Sequence, residues 1–361
     1  MKFYEHRELS QVRKDLERWF EPMQKEVSSL EATKTITRII FPNRDQKSAA
    51  LPSKIVAVEK TDKDKIRIVA CGNFAKPSEN EVLYSPTADA VSLRVVLCLA
   101  EVFQWEITAI DVSTAFLNAE LNADNGVNAP VYIKPPTVLI SVNLAVFGEV
   151  WQINRALYGL RESPRAWGLH RDKCMRTWKL SQNRVLVQCS VDECVWRIED
   201  AGNNRLVGIL LVYVDDILIV SSPEISKEIQ DKINETWKCG GVQNLPLTFL
   251  GLEIERKSSG ISISQRKYIS AMLREFRLEE ANISKVPMSV SDESEPAEEA
   301  LPEGQTRDAE EVRQAQKAVG AILWVATRSR PDIALQRLAQ PRLPRQSQKL
   351  PCELHFVSCV T

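Results

Sequence analysis

The sequence predicts an α+β fold in which antiparallel hairpins alternate with amphipathic helices, and three observations carry that prediction. Two aliphatic runs, Leu206 to Val212 and Ile217 to Val220, flank Tyr213-Val214-Asp215-Asp216, so a tight hairpin holds two adjacent carboxylates at its tip. A second pair of strand-like stretches, Ile55 to Val58 and Ile66 to Val69, surrounds the charged turn Thr61 to Lys65. Other stretches place apolar residues three and four apart, beginning with Leu9, Val12, Leu16, Trp19, Phe20, Met23 and Val27.

Taken in order, Glu5 to Ala32 is a helical lead-in, with Pro22 expected to break or kink it. A basic hairpin over 55–75 follows, then a helix at Val91 to Gln104 and a strand at Glu106 to Asp111. Asn122 to Ala129 reads as a surface loop. Tyr158 to Trp167 opens a helix reaching about Leu180, with Ser163 as N-cap and Pro164 at the first helical position, where its missing N–H costs nothing. Strands at Val185 to Ile198 and Leu206 to Val220 frame the Asp pair, and Glu224 to Trp237 is an amphipathic helix. Leu247 to Glu255 and Ile261 to Ser264 form a further hairpin, and Gln265 to Phe276 and Val312 to Thr327 are helices. Between those helices, Ser291 to Glu311 is acidic and contains Pro, the composition of a flexible linker. Leu335 to Thr361 loses all periodicity and is not expected to pack.

The chain has 361 residues, 44% hydrophobic and 26% charged, with a formal net charge of -1. A nucleic-acid partner would therefore be met by local basic clusters and not by the total charge. Lys60, Lys63, Lys65, Arg67 and Lys76 form one such cluster; Arg161, Arg165, Arg171, Lys173 and Arg176 form another, and solvated charged faces are the alternative for both. The N-terminal Met1 to His6 has no apolar core, and the most apolar run is interrupted by Asp215 and Asp216, which predicts a soluble, intracellular chain with no membrane partner, cytoplasmic with a particle-associated or nuclear place as the alternatives. The eight Cys form no CxxC pair, which argues against a disulfide framework or a zinc ribbon. Cys352, His355 and Cys359 have the wrong spacing for zinc and lack a fourth ligand.

Two neighbouring carboxylates repel each other, and the usual remedy is a divalent cation shared with a third carboxylate. Asp111, at a strand end just before a short apolar turn, is the candidate. Three such groups suit two magnesium ions about 3.5–4 Å apart, which stabilise the attacking and leaving oxygens of an in-line phosphoryl displacement. Taken alone, an Asp-Asp pair is also ordinary turn chemistry. The order of the surrounding blocks changes that balance.

Those blocks are Lys65-Ile66-Arg67-Ile68-Val69-Ala70-Cys71-Gly72-Asn73-Phe74, Tyr84-Ser85-Pro86-Thr87, Asp111 to Leu121, Ala156 to Trp167, Tyr213 to Leu218, and Phe249-Leu250-Gly251-Leu252-Glu253-Ile254. Gln265 to Ile269 and Arg330 to Ala334 extend the series. From about Trp19 to about Ala334 the chain resembles the reverse transcriptase of copia-type LTR retrotransposons. The resemblance implies a right-hand polymerase: fingers, a palm built on an antiparallel sheet, and a partial thumb and connection. It divides the chain into a lead-in (1–50), fingers and palm (51–240), palm end and thumb (241–290), acidic linker (291–311), connection helix (312–334), and a disordered or aberrant tail (335–361).

Carried over residue by residue, it makes Asp111, Asp215 and Asp216 the catalytic carboxylates. Asp111 and Asp215 would be the firmer ligands of two Mg2+ ions, with Mn2+ as the alternative, joined by the main-chain carbonyl of Val112. Phe116 falls where the family excludes a 2′-hydroxyl, with core packing as the other reading. Lys65 and Arg67 match the strand that meets the triphosphate. Tyr158, Gly159, Ser163 and Pro164 match the block that lies against template and incoming base; Arg165 meets a template phosphate or faces solvent.

The implied partners are an RNA or DNA template with its primer and deoxynucleoside triphosphates; oligomeric state is left open. The expected function is RNA-directed DNA polymerisation within a retrotransposon polyprotein, with an inactive relic that binds nucleic acid weakly as the alternative. A palm-fold nucleotide cyclase would have no use for the block at Tyr158 to Trp167. Two departures stand out: Arg161-Glu162 replaces the family's Lys-Gln, and nothing after Ala334 resembles an RNase H domain, so truncation before that domain is expected.

Overall fold

The computed structural model describes residues 6–7, 9–59, 64–76, 82–125, 127, 129–282 and 308–333. In chain order the elements are β1 (His6–Arg7), α1 (Leu9–Lys14), α2 (Leu16–Ala32), β2 (Ile36–Ile39), α3 (Arg44–Ala49), β3 (Ser53–Val58), β4 (Lys65–Ala70), α4 (Ala90–Val102) and β5 (Glu106–Asp111). Next come β6 (Val131–Ile133), α5 (Thr137–Ser141), β7 (Val150–Ile153), α6 (Ser163–Thr177), β8 (Arg184–Gln188), β9 (Val195–Asp200), β10 (Arg205–Tyr213), β11 (Asp216–Ser221) and α7 (Pro223–Thr236). The remainder are β12 (Gln243–Asn244), β13 (Leu247–Phe249), β14 (Leu252–Lys257), β15 (Gly260–Ser264), α8 (Arg266–Glu275) and α9 (Ala309–Arg328). Mixed helices and antiparallel sheets make this an α+β chain, and it divides into two compact units between Asn244 and Leu245.

The first unit is organised around a six-stranded sheet of order β12-β5-β11-β10-β9-β8, antiparallel at every pairing. β10 and β11 are almost wholly aliphatic and correspondingly buried. Ile110, Val112, Leu210, Val212, Ile217 and Ile219 share a core with Trp167 of α6 and with Ile225, Ile229 and Ile233 of α7. The three isoleucines recur every fourth residue, so one stripe of α7 meets the sheet, and each buried side chain contributes about 1.5–3 kcal/mol. α4 packs against β10 and β11 and buries Leu93, Val96, Leu97 and Ala100.

Two smaller sheets complete this unit. β1-β3-β4 forms the expected basic hairpin with an added edge strand, and β2-β7-β6 forms a three-stranded sheet. Trp19, Met23, Val27 and Leu30 of α2 belong to the core they share with β4. The second unit holds a three-stranded sheet, β13-β14-β15, and the helices α8 and α9, which pack through Ile269, Met272 and Val325.

Several sequence expectations are corrected. Pro22 lies inside α2 and does not end it; the break falls at Asp15, whose carboxylate caps Arg18 N–H. The buried stripe of α2 outweighs the single hydrogen bond that Pro22 forgoes. Ser163 is the first residue of α6 and not its N-cap: its hydroxyl is buried and donates to Leu157 O at 2.6 Å, while Glu162 occupies the cap without a side-chain bond. α6 ends at Thr177, short of Leu180. Val185 to Ile198 is two strands, β8 and β9, folded back on each other. Leu247 to Glu255 is likewise two strands, turned at Leu250 and Gly251, which both adopt positive φ. Strands β2, β6 and β7 and helices α3 and α5 were not anticipated. α9 begins at Ala309, inside the stretch expected to be linker; the rest of that stretch to residue 307, and the expected tail, lie outside the described residues.

Candidate active site

The carboxylate pair sits at a hairpin turn, as the flanking aliphatic runs suggested. Tyr213 pairs with Asp216 across β10 and β11, leaving Val214 and Asp215 as the two-residue connection. Val214 has φ +54°, a conformation in which a β-branched side chain is strained. The turn is held from α6: Trp167 Nε1–H donates to Val214 O at 2.6 Å. Trp167 is buried and meets Trp237 edge-on at 5.4 Å, and Trp237 lies 5.7 Å from Trp178. This tryptophan mount was missed in the sequence, where Trp167 was only the last residue of a block; only packing shows that its indole is buried and which acceptor its N–H finds.

Asp111 is brought directly beside the pair. β5 runs antiparallel to β11 with Asp111 opposite Asp216, and Val112 N–H donates to Asp215 O at 2.8 Å. Register partners share a face, so Asp111 and Asp216 lie on the face opposite Ile110 and Ile217, which fill the core under α7. The end of β5 is closed by the segment after α7: Ser113 N–H donates to Lys238 O and Gly240 N–H to Asp111 O, both at 2.8 Å. Burial pushes the Asp215 carboxyl above the usual range, and the negative charge of Asp111 adds to this while Arg67 opposes it. Burial together with Asp111 pushes the Cys239 thiol up to about 11.

The basic strand reaches the same place. Along β4 the even residues Ile66, Ile68 and Ala70 are buried, and Lys65, Arg67 and Val69 occupy the other face. The Arg67 guanidinium stands 4.3 Å from the Tyr158 ring centroid, a cation–π contact. Phe116 meets that ring edge-on at 5.1 Å. Burial pushes the Tyr158 hydroxyl up; Arg67 opposes this, and Asp215, Glu26 and Asp111 add to it, so these groups feel one another's charge. Glu26 of α2 is a further member that sequence reading did not single out. Its carboxylate accepts Ile68 N–H at 3.2 Å on the open edge of β4, and burial pushes it up against the opposing fields of Arg67 and Lys65.

The block from Tyr158 to Pro164 packs against its own chain. Ala70 N–H donates to Tyr158 O at 2.8 Å and Gly72 N–H to Gly159 O at 3.1 Å, continuing the β4 edge that Glu26 begins. Gly159 has φ +85°, and a Cβ there would collide with the Ala70 carbonyl. Pro164 O accepts the Ser85 hydroxyl at 3.1 Å, and Arg165 donates to Tyr84 O at 3.3 Å, tying the Tyr84 to Thr87 block to the start of α6. Asp111, Val112, Asp215, Asp216, Arg67, Tyr158, Phe116 and Gly159 are thus linked through the strands and contacts above; Lys65 shares Arg67's strand face, and Ser163 and Pro164 serve the α6 junction.

The donor set suits a hard cation: carboxylate oxygens that repel one another, Asp111 raising the Asp215 carboxyl. Among the described residues no group of three His, Cys, Asp or Glu side chains is placed to enclose an ion by itself. Magnesium needs only one or two carboxylates when phosphate oxygens and water complete its shell, so the residues fit that ion. Among the described residues no helix is long and apolar enough to cross a membrane.

Comparison with known proteins gives the family of the chain. The family model described as reverse transcriptase (RNA-dependent DNA polymerase) matches residues 43–290. The retrovirus-related Pol polyprotein from transposon TNT 1-94 of Nicotiana tabacum is 27% identical, covering 86% of this chain and 23% of its own length. That from transposon RE1 of Arabidopsis thaliana is 30% identical, over 76% of this chain and 17% of the relative. The chain therefore spans about a fifth of the polyproteins it matches. A foamy viral protease-reverse transcriptase structure in complex with double-stranded DNA aligns with TM-score 0.44 and 13% identity, covering 84% of this chain and 40% of that one. With a family match over more than half its length, the chain belongs to the reverse transcriptase (RNA-dependent DNA polymerase) family, in the copia-type group of transposon Pol proteins.

Proposed function

We propose that this chain is the polymerase domain of a retrotransposon Pol polyprotein and extends a primer on an RNA or DNA template from deoxynucleoside triphosphates. The observation that carries the reading is Asp111 in register with Asp216, with Val112 bonded to Asp215. In this reading the six-stranded sheet with α6 and α7 is the palm, β3 and β4 belong to the fingers, and the unit after Leu245 supplies palm end and thumb. Two magnesium ions, when bound, supply a lowered pKa at the primer 3′-hydroxyl and charge neutralisation on the leaving pyrophosphate.

The chain's own residues do the rest. Asp111 and Asp215 would hold the ions with the Val112 carbonyl, and Asp216 would add to the local negative charge. Lys65 and Arg67 pair with triphosphate oxygens, for which the guanidinium fork is suited. Tyr158 backs Arg67 and Phe116, and Phe116 sets an aromatic edge against the sugar, where a 2′-hydroxyl would collide.

The test is magnesium-dependent extension of a DNA primer on RNA by the purified chain, with Asp111→Asn and Asp215→Asn alongside. Extension that both substitutions abolish is expected. A folded wild-type chain that binds RNA–DNA duplex in a salt-sensitive way but adds no nucleotide would leave only the relic.

A further inference from the structure

Helix α4 buries one side and exposes an apolar stripe on the other. Val91, Val95, Cys98 and Val102 recur at intervals of four, three and four residues and are all exposed, Val95 at 52% and Val102 at 73%. That spacing is the narrow seam of a helix pair. Phe103, at the C-cap, extends the stripe at one end. At the other end stands Val191, 93% exposed in a turn that Ser92 fixes by donating to Asp192 Oδ2 at 2.5 Å.

We propose that this face docks against the same face of a second copy of the chain, the two α4 helices antiparallel about a two-fold axis. Charge placement favours this occupant. Arg94 and Glu101 lie on one flank of the stripe, seven residues apart, with Cys98 near their midpoint. In an antiparallel pair like flanks meet, so Arg94 of each copy stands level with Glu101 of the other; a parallel pair would set both charges against the Ser92 and Leu99 flank. Both side chains also make contacts within the chain, so the cross-pairing sets orientation while the valines supply affinity. The same symmetry brings Phe103 of one copy toward Val191 of the other and sets the two Cys98 side chains face to face across helices about 8–10 Å apart.

The test uses the full chain. Sedimentation at tens of micromolar is expected to show a reversible dimer, and a short bis-maleimide is expected to cross-link it in a way lost with Cys98→Ala. Val95→Glu, at an exposed position, is expected to give a monomer whose melting temperature matches that of wild type diluted until it too is monomeric. Arg94→Glu is expected to weaken the dimer about tenfold by setting like charges together, and the double exchange Arg94→Glu with Glu101→Arg is expected to restore it. A wild-type monomer at these concentrations, a cross-link that persists without Cys98, or a double exchange no better than the single one would overturn the proposal. Primer extension plays no part in this readout, so the polymerase reading stands or falls separately.

Discussion

Gly159→Ala isolates the junction between the basic strand and the block that follows it. The residue has φ +85°, where an alanine is strained by about 1–2 kcal/mol. Its Cβ would fall well inside contact distance of the Ala70 carbonyl oxygen and 2.6 Å from Val69 Cγ1. Backbone cannot swing aside as a flexible side chain can, so overpacking adds about 1–3 kcal/mol. Relief requires the Tyr158–Gly159 segment to leave β4, which stretches the bonds from Ala70 N–H and Gly72 N–H, about 1 kcal/mol each. The total, about 4–7 kcal/mol, is a large part of the stability of an ordinary domain.

Gly148 supplies the control: it has φ +83° but nothing within 4 Å of its Cβ, so Gly148→Ala reports the backbone strain alone. Urea unfolding followed by tryptophan fluorescence and circular dichroism is expected to place Gly148→Ala about 1–2 kcal/mol below wild type and Gly159→Ala well below that. At sub-denaturing urea, Gly159→Ala is also expected to lose primer extension, because Tyr158 carries the Arg67 contact. Equal losses at the two glycines would refute the argument, since the collision would then cost nothing beyond strain.

Two further outcomes follow from the site. Trp167→Phe keeps the aromatic packing on Trp237 but removes the donor to Val214 O, so stability is expected to fall by about 1–2 kcal/mol and the single-turnover extension rate by about tenfold with primer–template affinity unchanged; a rate within twofold of wild type would show that the turn holds itself. Glu26 has its carboxyl pushed up by burial, so the folded state disfavours its charge; that cost is fully present above the raised value and disappears as pH falls through it to the ordinary carboxylate range near 4.5. Glu26→Gln keeps an oxygen for Ile68 N–H and is expected to melt above wild type at pH 7, with the difference closing toward pH 4; a pH-independent difference would sink this reading.

The hairpin of β10 and β11 was legible because its strands are uninterrupted aliphatic runs with two polar residues between them, a local pattern that needs no partner to be read. The basic hairpin, α4, α7 and β5 were legible for the same reason. Ser163 as a cap and a break at Pro22 both fail because each rule used was local: a serine before a proline suggests a cap, and a proline suggests a break or a kink. In the fold the serine hydroxyl finds Leu157 O, and the helix around Pro22 is held by its buried stripe. β2, β6 and β7 escaped notice because strands of three or four residues carry too few alternations to register as a period.

For the site, the sequence by itself determined which carboxylates, aromatic and basic residues are present, and the order of their blocks determined the family. Only the tertiary structure decided that β5 lies beside β11 with Asp111 opposite Asp216, that Trp167 holds the turn, and that Glu26 meets the edge of the basic strand. Strand neighbours distant in the chain, and the acceptor found by a buried indole or the donor found by a buried carboxylate, are set by packing and register, and neither leaves a period in the sequence.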